Sequence, residues 1–211
     1  MNSRKIILFD FDGVIADTFE MANEIATVFF PGISKDEYRK MFESNVHDSV
    51  KSYIKQKDEK SHYQKWFAVY EAQILDQKIF PKMKSVLRQL SEKYILVIIS
   101  SSINSPIEKY AKKHDLEKYF AKIFGADVHK SKIEKIKMVF KEYKVTAKDC
   151  LFITDTLGDL KEAKKMKVKS VAVTWGFHDK KTLAKGLPVA IVSQPDDLVK
   201  QIDLFFKKDK A

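Results

Sequence analysis

Ile6-Ile7-Leu8-Phe9-Asp10-Phe11-Asp12-Gly13-Val14-Ile15-Ala16-Asp17-Thr18 is the stretch that decides the fold. An apolar run of strand length ends in two acids one residue apart, and a glycine follows at once. Desolvated carboxylates cost several kcal/mol unless something offsets their charge. A divalent cation is the simplest offset. A carboxylate kept free of protons beside Mg²⁺ can also attack phosphorus. The rest of the chain is therefore read for what else arrives at the end of this strand.

Residues 94–99, 121–124, 150–153, 170–173 and 189–192 read as further strands. Helices are expected over 82–90, from Ser105-Pro106 onward with proline at the first helical position, and over 131–143, 158–166 and 195–206. Strands alternating with helices of this length predict an α/β fold with a doubly wound parallel sheet, which binds ligands beyond the carboxyl ends of its strands. Residues 18–79 interrupt the alternation. They predict helices over 19–30, 34–42, 46–55 and 61–75, with Pro31-Gly32 separating the first two and Ser34 with Glu37 spaced as a capping box. The ten aromatics of this block suggest a small core of its own. The expected organisation is an α/β core from residues 1–17 and 81–211 and an inserted α-helical cap over 18–80. Hinges are expected near Asp17-Thr18 and Phe80-Pro81, so that the cap can close and exclude water.

The strand ends carry the candidate chemistry. Strand 94–99 runs into Ser100-Ser101-Ser102, with Asn104 close by. Strand 150–153 runs into Thr154-Asp155-Thr156-Leu157-Gly158-Asp159. Lys130 precedes the helix at 131, and Lys132 lies in its first turn. Mg²⁺ wants about six oxygen ligands; Asp10, Asp155 and a carbonyl at Asp12 are candidate protein ligands, with Asp159 on a metal water or orienting the lysine. Asp10 is the candidate nucleophile, and Asp12 the acid that protonates the leaving oxygen and then activates water. Ser100 and a lysine are candidates to hold the remaining phosphoryl oxygens. Each piece alone has an ordinary reading: an Asp-x-Asp turn, a serine turn, surface lysines, or an acid favoured at a helix N-terminus. Their order at successive strand exits is what points to one site.

Composition narrows the partners. The 211 residues carry 45% hydrophobic and 32% charged side chains, as an ordinary globular protein does, and no apolar run approaches the ~20 residues that span a bilayer. Residues 1–5 lead straight into a strand and do not read as a signal peptide. The lone Cys150 suits a reducing compartment, so a cytoplasmic protein is expected. The net charge is +10, yet residues 19–79 hold nine Lys/Arg against ten Asp/Glu. The excess sits elsewhere, notably in 130–148 (seven Lys, two Glu) and 161–169 (five Lys, one Glu). Such a body attracts anions, phosphate esters or nucleic acid. The lysines also fit the solvated faces of helices that bury Ile133, Ile136 and Val139.

At this point the sequence resembles the haloacid dehalogenase superfamily. Asp10-Phe11-Asp12-Gly13-Val14-Ile15-Ala16-Asp17-Thr18 is similar to its first motif, Ser100 to its second, Lys130 or Lys132 to its third, and Asp155-Thr156-Leu157-Gly158-Asp159 to its fourth. The insert resembles the small helical cap of phosphoglycolate-phosphatase-like members, and so does Thr174-Trp175-Gly176-Phe177 after the next strand. The resemblance implies a modified Rossmann core and Mg²⁺-dependent hydrolysis of a small-molecule phosphate ester. Dehalogenases of the family lack the second acid, present here as Asp12. Relatives that act as β-phosphoglucomutase carry a histidine where Ala22 stands, although Ser102 and Asn104 resemble that group's phosphate-side loop; Ser101, Ser102 and Asn104 are the candidate substrate-binding residues. The usual Lys-Pro pair of the third motif is replaced by Lys130-Ser131-Lys132-Ile133. Lys132 is favoured, since Ser131 can cap the helix and leave Lys132 in its first turn. Phosphatases of nucleic-acid ends or nucleotides, and phosphomutases, are the alternatives. Tyr38, His47, His62, Tyr63, Trp66 and Tyr70 are read as packing or surface rather than substrate contacts, and His114, His129 and His178 as surface or loop.

Overall fold

In a computed structural model that describes residues 5–52 and 59–208, the strands are β1 (Ile6–Phe9), β2 (Ile95–Ile99), β3 (Phe120–Phe124), β4 (Cys150–Thr154), β5 (Lys169–Val173) and β6 (Ala190–Val192). They form one parallel sheet in the order β3-β2-β1-β4-β5-β6. Between β1 and β2 come α1 (Phe19–Phe29), α2 (Lys35–Lys40), α3 (Val46–Lys51), α4 (Glu59–Ile74) and α5 (Met83–Ser91). Then α6 (Asn104–Lys113), α7 (Lys132–Tyr143), α8 (Leu157–Lys165) and α9 (Lys180–Ala184) follow β2, β3, β4 and β5, and α10 (Asp196–Lys208) closes the chain.

The strands are apolar throughout because both faces are covered. Ile7, Phe9, Ile98 and Ile153 pack with Leu87 of α5, Tyr110 of α6 and Ile202 of α10. Their neighbours Ile6, Leu8, Val97 and Phe152 face the other way, onto Ile136 and Val139 of α7 and Ala163 of α8. Phe9 is in register with Ile98 on one side and Ile153 on the other. The exits of β1, β2 and β4 are therefore level, at the point where strand order reverses. Crevices form there in open α/β sheets.

Local signals mostly hold. Ser34 and Glu37 form the capping box, and Ser131 caps α7 by accepting from the Ile133 N–H at 3.1 Å. The helix after β2 starts earlier than expected. The Asp127 carboxylate accepts the Asn104 N–H at 2.9 Å, so the helix begins at Asn104 and Pro106 is its third residue. Nothing is lost there, because first-turn N–H groups have no intrahelical acceptor. The helix expected over 34–42 divides into α2 and a 3-10 turn at Met41–Glu43. Of the helix expected over 46–55, Val46–Lys51 is helical, and residues 53–55 lie outside the described residues.

The aromatic block makes a small cluster of its own, which Phe177 joins from outside the block. Met21, Ile25, Tyr70 and Ile74 join the large cluster with Phe11 and Ile15, while Phe19, Phe30 and Tyr38 gather around Phe177 from beyond β5. A few short helices bury too little surface alone and borrow the sheet's. The two links expected as hinges run side by side. The Asp17 N–H donates to the Lys78 carbonyl at 2.9 Å, and the Phe80 N–H to the Ile15 carbonyl at 3.1 Å. No helix among the described residues is long and apolar enough to cross a membrane.

Candidate active site

The chain is still part of the sheet at Asp10, whose N–H donates to the Ile153 carbonyl at 2.9 Å. It then turns back tightly, with the Gly13 N–H on the Ala16 carbonyl at 2.9 Å and Gly13 at φ +71°. Glycine is needed here twice over, for the left-handed backbone and for space. A Cβ on Gly13, or on Gly176 in the loop after β5, would strike Asp155 Oδ2. The two loops close around that carboxylate, and Oδ2 accepts the Phe177 N–H at 2.7 Å. Asp155 Oδ1 is buried with no hydrogen-bond partner.

Lys132, wholly buried in the first turn of α7, sends its ammonium to Asp10 Oδ2 at 2.6 Å and to Asp159 Oδ2. Asp159 Oδ2 also accepts from Thr154 Oγ1 at 2.8 Å. Two buried carboxyls thus share one ammonium. Burial pushes the Asp10 carboxyl well above its usual range, with Asp159 and Asp155 adding repulsion that Lys132 only partly relieves. Burial lifts Asp155 to about 7. Asp159 is buried too, but Lys132 and its hydrogen bonds hold it below the ordinary value. Burial opposes the charge on Lys132, yet Asp10 and Asp159 outweigh this and raise its proton affinity. One turn on, Lys135 donates to the Ser100 carbonyl; burial and the neighbouring Lys132 lower it to about 7. No local pattern marked Lys135, since its partner lies 35 residues away.

The other site residues divide. Lys130 is exposed, and its ammonium lies 4.1 Å from the centroid of the Tyr63 ring, so Lys132 is the lysine that meets the acids. Ser100 is buried, and its Oγ accepts the Ser102 N–H at 3.0 Å. Ser102 Oγ in turn donates to Asp12 Oδ2 at 2.8 Å. Asp12 Oδ1 accepts from the Tyr70 hydroxyl of α4 at 2.7 Å. Asn104 is not brought to this group. Its Oδ1 accepts the Gly125 N–H at 2.6 Å, and its amide reaches the Ile123 carbonyl, so it ties the exit of β3 to α6.

Asp10, Asp12, Lys132 and Asp159 open onto a chamber of about 90 Å³, the room of roughly half a dozen waters. Ser101 and Ser102 also line it. So do Tyr38, His47, His62, Tyr63, Trp66 and Tyr70, which the sequence suggested were packing or surface. They pack and line at once, because the helices between Phe19 and Ile74 meet the sheet at this chamber. His178 is neither surface nor loose. It is buried, accepts the Leu157 N–H on Nδ1 at 3.0 Å and meets the Arg39 carbonyl at 2.9 Å, fixing the start of α8. Partners 21 and 139 residues away leave no local trace of that role.

Among the described residues no three His, Cys, Asp or Glu side chains form a ready metal cage. Mg²⁺ does not demand one, since it keeps several waters and takes one or two carboxylates. The donors fit such an ion. Asp155 Oδ1 is buried and unsatisfied, Asp155 lies near enough to repel the Asp10 charge, and the acids outnumber the ammonium.

A family model described as haloacid dehalogenase-like hydrolase matches residues 7–173. A phosphoglycolate phosphatase of Synechococcus elongatus is 23% identical over 203 residues, covering 93% of this chain and 96% of the relative. A haloacid dehalogenase-like family hydrolase from Streptococcus pneumoniae superposes with a TM-score of 0.82 at 22% identity, covering 96% of this chain and all of the other. CbbY from Rhodobacter sphaeroides, solved in complex with phosphate, gives a TM-score of 0.76 at 14% identity, covering 92% and 96% of the two chains.

Proposed function

This chain belongs to the haloacid dehalogenase-like hydrolase family, and on that footing we propose that it is a Mg²⁺-dependent phosphatase. It hydrolyses a small-molecule phosphate monoester through an aspartyl-phosphate on Asp10. The observation that carries this reading is the convergence of Asp10, Lys132 and Asp159 at one chamber, with the buried, unsatisfied Asp155 near enough to repel Asp10 and Asp159. Asp10 and Asp155 would hold the ion, with the Asp12 carbonyl and waters. When bound, the ion offsets the carboxylates' charge and that of the phosphoryl oxygens, keeping Asp10 ionised.

An Asp10 carboxylate oxygen attacks phosphorus as the bond to the leaving oxygen breaks, and Asp12 gives that oxygen its proton. Asp12, now ionised, takes a proton from water as the water attacks the acyl phosphate. Inorganic phosphate leaves, and both acids return to their starting state. Lys132 steadies the transferring oxygens, and the Ser100–Ser102 turn keeps Asp12 aligned from the core side. Ala22 lining the chamber supports a hydrolase over a mutase. The chamber's small size favours a small ester over a polynucleotide end. The lone buried cysteine supports a cytoplasmic setting.

The test is release of inorganic phosphate from a broad ester panel with and without Mg²⁺. Turnover that requires Mg²⁺ and is lost in Asp10→Asn is expected. A folded protein that turns over no ester with Mg²⁺ present overturns the reading.

A further inference from the structure

The segment between α1 and the end of α4 lines the chamber with Phe30, Phe42, Val46, Val50, Trp66 and Phe67, with tyrosines, and with two histidines. Among the described residues, none that it contributes is Arg, Lys, Asp or Glu. The imidazoles bring no charge at neutral pH. Burial, helped by Lys135, Lys130, Lys132 and Lys51, drives His47 down to about 3, and burial lowers His62. The nearby cations are engaged elsewhere. Arg39 lies over the Phe19 ring at 4.3 Å and donates to the Phe177 carbonyl. Lys130 lies over Tyr63 and is not part of the lining.

On the sheet side the lining holds Asp10, Asp12, Asp159 and Glu162 against Lys132 alone. That one ammonium is already bound by two acids and is needed by the phosphoryl group. Among the described residues, a second anionic group on the substrate would meet a wall with no free positive partner, since Lys132 and the ion would already serve the carboxylates and the phosphoryl group. A buried, unpaired charge of that kind is strongly disfavoured. An aromatic or branched aliphatic group meets rings and methyls instead, and loses only water.

The geometry points to a phosphate monoester whose leaving alcohol is uncharged and apolar, recognised by the ring-lined wall of α1–α4, and not to one bearing a carboxylate. This rests on the phosphatase reading and narrows it. It also separates this chain from the substrate named for its Synechococcus relative.

The experiment compares kcat/KM, with Mg²⁺, for phenyl, benzyl and isobutyl phosphate against 2-phosphoglycolate and 3-phosphoglycerate, on the wild-type chain and on Val50→Arg. The uncharged esters are expected to lead by about tenfold or more, because like charges facing each other in a binding site are disfavoured. Val50→Arg, on a half-buried position of α3, is expected to narrow that lead by placing a cation in the wall. Carboxylated esters that match or beat the uncharged ones overturn the inference and leave the phosphatase standing. So does a Val50→Arg protein that folds, by circular dichroism, and keeps the wild-type ratio. Absence of turnover with every ester overturns the phosphatase reading and this inference with it. Should Val50→Arg not fold, the wild-type ratios decide alone.

Discussion

At the sheet edge, Asp10 and Asp159 are buried around one ammonium, with Asp155 buried as well; in the helices between Phe19 and Ile74, the chamber wall carries no formal charge among the described residues. The first region is held by backbone that cannot easily yield. Asp10, one residue past β1, is tied to β4 by its N–H on the Ile153 carbonyl, and Asp155 is clasped between two glycine loops. Charges fixed in this way cannot relax away from one another, and their unrelieved repulsion is what a cation or phosphoryl group would answer. The second region is held by side-chain packing, shared between two clusters. Packing of this kind shapes a space and sets its polarity but supplies no electrostatic drive. The contrast assigns bond-breaking to the edge and choice of alcohol to the wall.

The largest expected effect attacks the edge at its centre. Asp10→Asn keeps size and burial but removes the nucleophile, and phosphate release should fall by on the order of 10⁴-fold or more, with thermal unfolding nearly unchanged. Next is Lys132→Met. It leaves Asp10 and Asp159 buried without their ammonium, a loss of about 3–5 kcal/mol for a broken buried pair. Urea unfolding at pH 7.5 should show it. The penalty should shrink as pH falls, because protonated carboxyls no longer need the partner. A penalty equal at pH 5 and 7.5 would mean that the pair is not electrostatic.

A smaller effect tests the wall. His47 is neutral when folded, pushed down to about 3 by burial and four lysines, whereas an unfolded histidine titrates near 6.5. Below 6.5 the unfolded chain takes up the proton first. This contribution is therefore complete above pH 6.5 and is lost as pH falls toward 3. The loss is on the order of 2 kcal/mol by pH 5. His47→Gln should flatten that slope in denaturant titrations between pH 7 and 5 while leaving stability at pH 8 close to wild type.

The two regions also differ in how much of them the sequence revealed. Asp10, Asp12, Asp155 and Asp159 stand out because acids at the ends of apolar strands violate burial and demand a reason. Strand order then brings them to one place. Even Lys132 over Lys130 followed from a local rule, the Ser131 cap. The wall gave no such signal. An aromatic that packs and an aromatic that lines a chamber have the same periodicity, so Tyr38, Trp66 and Tyr70 read as core. Asn104 misled in the opposite sense. Its place after β2 suggested substrate, but Asn104 Oδ1 is used by the Gly125 N–H, whose position depends on how β3 exits. Polar side chains near a site have backbone to satisfy as well as ligands, and sequence distance hides which of the two prevails.

Tyr70 is where the two regions touch chemically, so it measures how separate they are. Its hydroxyl, carried by α4, donates to Asp12 Oδ1 at 2.7 Å while Ser102 holds Oδ2 at 2.8 Å. Burial and Asp12 both keep the Tyr70 phenol protonated, so the bond always runs from tyrosine to acid. Tyr70→Phe retains the ring among its neighbours and removes only this bond, worth about 1.5–3 kcal/mol when one partner is charged. Asp12 would then be held from the core side alone. If the wall takes part in catalysis only by aligning the acid, kcat should fall by about tenfold or more, while KM for an apolar ester stays near wild type. A rise in KM with kcat unchanged would put Tyr70 in alcohol binding instead, and the division between edge and wall would then run through α4 rather than beneath it.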